Sequence, residues 1–249
     1  MENTIVIIPA RYASTRYPGK PLVSLRGPDG EKTLIQRSFE AATAAKGVDA
    51  VYVATDDERI KLASEAFGAR VIMTDETCAN GTERCADAIS KAGLSPELVV
   101  NLQGDAPLTP PGFVEALVQA MRAEPALPVA TPVLACDKQT YDNFVEDRKA
   151  DRVGGTTAVF DANGDALYFS KEVIPFKKPG SFDPDNSDVF HHVGLYAYRP
   201  SALASYMSFS QGVLETNEGL EQLRFLENGT KVRCVQVPAA DHLFWELNN

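Results

Sequence analysis

The chain has no closely spaced cysteine pair: Cys78, Cys85, Cys136 and Cys234 are scattered without a C-x-x-C spacing. This argues against a zinc site and a secreted disulfide framework, and points to reduced thiols in a cytoplasm. No apolar run reaches membrane-spanning length, and a polar tripeptide leads directly into an apolar strand, so neither a membrane span nor a signal peptide is expected. Basic residues are in deficit, 24 Lys and Arg against 34 Asp and Glu, for a formal net charge of −10. Nucleic-acid binding needs a basic surface that releases counterions, so nucleic acid is not the expected partner. Glycine is missing where two phosphate motifs require it. In a Walker loop the first glycine would stand at Ser14, and the metal-binding hydroxyl would stand at Pro21. A dinucleotide fingerprint needs a series of glycines between strand and helix, and this loop offers Gly19 alone. P-loop chemistry and NAD binding are therefore set aside.

What remains is a chain of 249 residues with 44% hydrophobic content, enough for a full core without staples. Ile5 to Ile8 reads as a buried parallel strand, and the loop behind it carries Arg11, Arg16 and Lys20. Ligands on open α/β sheets bind beyond the carboxyl ends of such strands, and a guanidinium fork combined with a lysine point charge suits a polyphosphate. A few cations in one cleft can outweigh a diffuse negative surface. Helical spacing over Leu34–Ala45, a strand at Val51–Ala54, a helix from Thr55–Asp56 to Phe67 and a strand at Val71–Met73 give a βαβα rhythm. A helix at Glu83–Lys91 and a strand at Leu98–Leu102 continue it. The expected fold class is α/β, a doubly wound, mostly parallel sheet. Past Val129 the texture turns mixed, with short strands at Thr156–Phe160, Leu167–Phe169 and Val193–Tyr198 and a polar loop from Lys177 to Asp188. A smaller α+β sub-domain with a soft boundary near residues 135–144 is expected within a single domain over residues 1–249. Leu214–Glu227 reads as one late helix and Lys231–Val237 as a closing strand.

Asp105 follows the strand end at Gln103-Gly104. It reads either as a Mg²⁺ ligand beside substrate phosphates, or as a helix cap or partner of Lys20. Asn80-Gly81-Thr82-Glu83-Arg84 opens a helix whose free N–H groups could hold an anion or a base edge, although a plain N-cap explains it as well. As bare patterns, His191-His192 is a partly exposed pair, and Glu221, Gln222 and Arg224 are a solvated helix face.

Taken together, Ile8-Pro9-Ala10-Arg11 through Lys20-Pro21-Leu22, Val53-Ala54-Thr55-Asp56, Gly81-Thr82-Glu83-Arg84, Asn101-Leu102-Gln103-Gly104-Asp105, Ala166-Leu167-Tyr168-Phe169-Ser170, His192-Val193-Gly194-Leu195-Tyr196-Ala197-Tyr198-Arg199 and Leu220-Glu221-Gln222-Leu223-Arg224 resemble the 3-deoxy-manno-octulosonate (Kdo) cytidylyltransferases. The order and spacing hold over nearly the whole chain. The resemblance implies a Rossmann-like nucleotidyltransferase fold and transfer of CMP from CTP to the anomeric hydroxyl of a 3-deoxy-ulosonic acid, with release of pyrophosphate and use of Mg²⁺. It further implies a cytoplasmic homodimer. By the same resemblance Ala10, Arg11, Arg16, Lys20, Asn80, Gly81 and Arg84 meet the nucleotide, with Lys20, Arg16 and Asp105 the catalytic set. Gln103, His192, Tyr196, Glu221, Gln222 and Lys171 meet the sugar acid.

Four positions depart from the family pattern: Ala106 after the Gly-Asp pair, Thr157 in place of a lysine, Lys171 in place of an arginine, and Leu247-Asn248-Asn249 where a metal-binding aspartate stands. Asn248 is thus the expected second metal ligand, an amide without charge, and the family's terminal helix is expected to be absent. Lys171 cannot reproduce a bidentate arginine contact, which bears on the sugar.

Overall fold

Thr4–Ala10 forms the first strand, β1, buried along its whole length. A strand apolar on both faces is stable only with helices on either side, and that layering organises the molecule. The computed structural model describes residues 2–13, 17–27, 30–104, 107, 109–153 and 155–239.

After β1 a 3₁₀ turn (Lys20–Leu22) leads into a small hairpin, β2 (Ser24–Gly27) and β3 (Gly30–Thr33). Then follow α1 (Leu34–Ala44), β4 (Ala50–Thr55), α2 (Glu58–Ala66), β5 (Arg70–Met73), α3 (Gly81–Ala92) and β6 (Leu98–Leu102). The strands β5, β4, β1 and β6 lie side by side and all parallel, the expected doubly wound half. α4 (Pro111–Ala123), β7 (Val129–Ala135), α5 (Lys138–Lys149), β8 (Thr156–Phe160), β9 (Ala166–Ser170), β10 (Phe190–His192) and β11 (Leu195–Tyr198) come next. α6 (Pro200–Ser208), α7 (Val213–Glu218), α8 (Leu223–Glu227) and β12 (Val232–Gln236) complete the described chain. This second half extends the same sheet in the order β6, β11, β7, β10, β8, β9 with antiparallel pairings, while β12 joins β7 in parallel.

Alternation along β1 sends Val6 and Ile8 into a core under α1, α2 and α4, and Ile5 and Ile7 into one under α3, α6 and α8. Helix starts follow from oxygen-bearing caps: Thr33 accepts from Gln36 N, Asp57 from Arg59 N and Asn80 from Glu83 N.

Two expectations are corrected. The late helix is two short ones, because Gly219 takes φ 61° at the end of α7 and the chain turns through Leu220–Gln222 before α8 begins. A left-handed residue ends a helix, and glycine adopts it without a Cβ penalty. The strand expected from Val193 begins instead at Leu195. Between His192 and Ala197 the chain takes five steps while β7 takes three, from Val133 to Ala130, so Val193 and Gly194 bulge out.

Candidate active site

A cleft of about 640 Å³ opens beyond the carboxyl ends of β1 and β6, within the size range of small-molecule sites. The basic loop forms one wall. Gly19 sits at φ 74° and donates its N–H to the Tyr12 carbonyl at 2.9 Å. A Cβ there would come 3.0 Å from the Tyr12 ring. The same ring carries the Arg59 guanidinium, 3.3 Å from its centroid, itself paired with Asp57 at 2.7 Å. Tyr12 therefore ties the loop to the start of α2, and Ala10, Arg11 and Lys20 all line the cleft. Arg16 lies outside the described residues.

The N-terminus of α3 forms the second wall, with Asn80, Gly81 and Arg84 in the lining. A Cβ on Gly81 would meet Asn101 Nδ2 and Gln103 Nε2 at 3.2 Å, so a larger residue would push these side chains aside where the helix start approaches the end of β6. Arg84 is 3% exposed; it donates to Thr74 Oγ1 at 2.5 Å and pairs with Asp56 Oδ2 at 3.2 Å. Gln103 lines the cleft at the end of β6. Asp105 and Asn248, the expected metal ligands, and Ala106 lie outside the described residues.

The third wall gathers the remaining expected residues: His192, Tyr196, Glu221, Gln222 and Lys171. The histidine pair is not partly exposed, as its bare pattern reads, but buried, with His191 6% and His192 4% exposed. His192 Nε2 lies 3.0 Å from Thr131 Oγ1, and the Thr131 hydroxyl is 2.8 Å from the Leu195 carbonyl. With the single hydroxyl proton given to that carbonyl, Thr131 accepts from Nε2–H, and His192 Nδ1 is left as a hydrogen-bond acceptor. Tyr196 donates its hydroxyl to Gln222 Oε1 at 3.0 Å, while Gln222 Nε2 is buried with no protein partner among the described residues. A buried donor of this kind calls for a ligand or water.

Glu221 is half-buried, and its carboxylate accepts from Thr82 N–H at 3.1 Å. Desolvation by burial raises its pKa. The Lys171 backbone N–H donates to Glu218 at 2.9 Å, and its ammonium lies 3.0 Å from where a Cβ on Gly219 would stand. Thr157 instead turns its hydroxyl to the Glu172 carbonyl at 2.6 Å. Arg224 is no solvated face either: it is buried and paired with Glu215 and Glu83. Thr131 and Tyr206 are contributors that sequence reading missed; both act across long chain separations that no local pattern marks.

Burial pushes His191 down to about 4 and His192 down to about 3, the latter helped by its neighbour. Both are neutral at pH 7. Unfolded imidazoles titrate near 6.5, so below that pH the unfolded chain takes up protons that the folded chain refuses. Stability is lost as pH falls from 6.5 toward 4 for His191 and toward 3 for His192. His191→Gln is expected to reduce the pH slope of unfolding free energy in this window by up to about 1.4 kcal/mol per pH unit. Urea unfolding at a series of pH values checks this, and an unchanged slope would refute it.

Four cations, Arg11, Lys20, Arg84 and Lys171, face the cleft against one carboxylate, Glu221, among the described lining residues, in a protein of net charge −10. Fold and cleft together define a doubly wound α/β protein with a site for an extended anionic ligand at the carboxyl ends of its parallel strands. The chain belongs to the cytidylyltransferase family, whose model matches residues 5–232, and it is a nucleotidyltransferase. It is 41% identical to the 3-deoxy-manno-octulosonate cytidylyltransferase of Maricaulis maris over 99% of this chain and 92% of that protein. It is 42% identical to the 8-amino-3,8-dideoxy-manno-octulosonate cytidylyltransferase of Shewanella woodyi, over 96% and 91%. Among solved structures, a CMP:2-keto-3-deoxy-manno-octonic acid synthetase complexed with CTP superposes with a TM-score of 0.80 at 37% identity, covering 95% of this chain and 90% of that one.

Proposed function

We propose that this protein transfers CMP from CTP to the anomeric hydroxyl of Kdo, releasing pyrophosphate. The observation that carries the reading is the single cleft in which the cationic loop and the α3 start face a neutral, hydrogen-bonding wall of His192, Tyr196 and Gln222. A polyanion and a polyhydroxylated acid would meet there. In the reaction the anomeric oxygen attacks the α-phosphorus, its proton passes to solvent, and the bond to the pyrophosphate oxygen breaks. Such transfers depend on in-line positioning and on neutralising developing charge more than on covalent help from the protein.

Ala10, Arg11, Asn80, Gly81 and Arg84 are assigned to the nucleotide, and Lys20 with Arg16 to the triphosphate. Gln103, His192, Tyr196, Glu221, Gln222 and Lys171 are assigned to the sugar acid. Arg84 is held by Asp56 and Thr74 in an orientation fixed before any ligand arrives, which favours recognition over rearrangement.

Among the described residues no cluster of carboxylates, histidines or cysteines could hold a metal by itself. Mg²⁺ keeps several waters and is held by one or two protein carboxylates plus substrate phosphates. Asp105, with Asn248 as an uncharged second ligand, is the proposed protein contribution. When bound, Mg²⁺ supplies charge neutralisation at the phosphates. A cytoplasmic homodimer completes the reading, resting on the family resemblance. Among the described residues no helix is long and apolar enough to cross a membrane.

Pyrophosphate release measured with CTP, ATP and GTP over Kdo and its 8-amino analogue tests the proposal. CTP is expected to exceed either purine nucleotide by on the order of tenfold or more, the scale of discrimination a shaped pocket reaches. Kdo is expected to be favoured over the 8-amino sugar, whose ammonium would add a cation to a cleft already holding four cations and one carboxylate. Equal rates with a purine triphosphate would sink the nucleotide assignment, and a preference for the amino sugar would reverse the sugar assignment.

A further inference from the structure

Tyr206 lies outside the cleft, yet its hydroxyl touches both sides of it. The residue sits on α6, fully buried, with its ring 4.8 Å from Phe225 and the Arg224 guanidinium 4.3 Å above it. Packed this way, the ring cannot shift without moving its neighbours, so the hydroxyl has a fixed address. The amide of Asn80 donates to it at 3.0 Å, and it donates in turn to the Glu221 carbonyl at 3.1 Å. Burial pushes the phenol well above its ordinary range, so the proton that makes the second bond stays in place.

Donors and acceptors match along the whole path. Asn80 Oδ1 is occupied by Glu83 N–H at 2.9 Å, which orients the amide so that its NH₂ faces Tyr206. Asn80 caps the helix start assigned to the nucleotide, and Glu221 belongs to the turn assigned to the sugar. A second link runs beside it, where Arg224 joins Glu83 at 2.9 Å to Glu215 at 2.7 Å. A third is Glu221 Oε2 to Thr82 N–H. Of these, the Tyr206 hydroxyl is the one that fixes the backbone of Glu221 itself, and it can be deleted without removing a charge.

On the functional reading above, we propose that Tyr206 is a positioning residue that couples the two subsites: seating CTP against Asn80 orders the Glu221 turn through the Tyr206 hydroxyl, preparing it for the sugar acid. Such a link requires that each ligand change the affinity for the other by the same factor.

Hydrogen exchange on the full chain with CTP and Mg²⁺, and no sugar, tests this without turnover. In the wild type CTP is expected to slow exchange both at residues 78–84 and at residues 219–223. In Tyr206→Phe protection at 78–84 is expected to persist, while protection at 219–223 falls by roughly fivefold or more, the low end of ordinary coupling. Tyr198→Phe is the control, since it removes an equally buried hydroxyl beside the same helix start, bonded to Thr82 Oγ1 at 2.8 Å, while the Tyr206 bond to the Glu221 carbonyl stays in place. It is expected to keep the remote protection. If Tyr206→Phe does not fold, Asn80→Ser cuts the same link from the other side while retaining a capping oxygen, with CTP raised until residues 78–84 are again protected because Asn80 is itself assigned to the nucleotide. Remote protection that survives Tyr206→Phe, that is lost equally in Tyr198→Phe, or that is missing from a wild type protected at 78–84, overturns the coupling proposal alone. No protection by CTP anywhere in the wild type overturns the nucleotide reading beneath it as well.

Discussion

Lys20→Ala is expected to lower kcat/KM by about 2–4 kcal/mol of transition-state stabilisation, roughly 30- to 1,000-fold, the scale for removing one preorganised charge from a reacting centre. The lysine opens the 3₁₀ turn behind Gly19, whose left-handed backbone and bond to Tyr12 fix where that turn begins. Because the loop is already braced by Tyr12 and Arg59, placing the ammonium costs little reorganisation when the triphosphate arrives. Charge accumulates on the leaving pyrophosphate only as the bond breaks. The loss should therefore fall mainly on kcat, with KM for CTP changed less. Lys20→Arg is expected to restore only part of the rate, since a planar fork does not sit where a compact ammonium does. Pyrophosphate release under saturating and limiting CTP separates these terms. A loss below tenfold, or one confined to KM, would remove Lys20 from the catalytic set.

Much of this organisation is legible in the sequence because it depends on short-range pattern. A run such as Ile5–Ile8 is a buried strand wherever it stands, and a cationic loop behind it marks the ligand edge of the sheet. The α4 stripe of Phe113, Val114, Leu117, Val118 and Met121 has the same local character and was available to periodicity. The late helix was not. Its apolar stripe continues through Leu220 and Leu223, and only the backbone angle at Gly219 shows that the chain stops and turns there. The split matters, since it moves Glu221 and Gln222 from a helix face into a turn that lines the cleft.

The contacts that build the third wall are equally invisible locally. His192 and Thr131 are 61 residues apart, Tyr206 and Asn80 are 126 apart, and Arg224 and Glu83 are 141 apart. By local pattern His192 and Arg224 read as ordinary surface polar groups and Asn80 as an N-cap or an anion site, and it is the family resemblance that gives His192 and Asn80 a ligand. Their roles come from the sheet order, which brings β7 against β10 and β11 and sets α6 and α8 on the same face as α3.

Arg224→Met is expected to destabilise the fold by about 3–5 kcal/mol, the cost of leaving a buried charge without its partner. Glu215 is 4% exposed, and both of its oxygens are held by the guanidinium, at 2.7 Å from Nε and 2.7 Å from Nη2. The bonds that Arg224 donates to Glu215 are the main reason its pKa is raised. Methionine fills a similar volume but offers no donor, so the buried carboxylate loses both of its guanidinium bonds. Glu83 loses less, because it is better solvated and keeps the Ala79 N–H at 2.8 Å. For a chain of this size the expected drop in Tm is roughly 6–20 °C. The double variant Arg224→Met with Glu215→Leu is expected to recover most of the loss, since a buried pair replaced as a unit by apolar groups is often near neutral. Recovery of stability should not bring recovery of activity, for the Arg224 bridge from α3 to α7, which flanks the Glu221 turn, is gone in both variants. Thermal unfolding beside kcat/KM for the sugar separates the two effects. A single variant within about 1 kcal/mol of the wild type, or a double variant no more stable than the single, would show that the pair is not the desolvated lock its geometry describes.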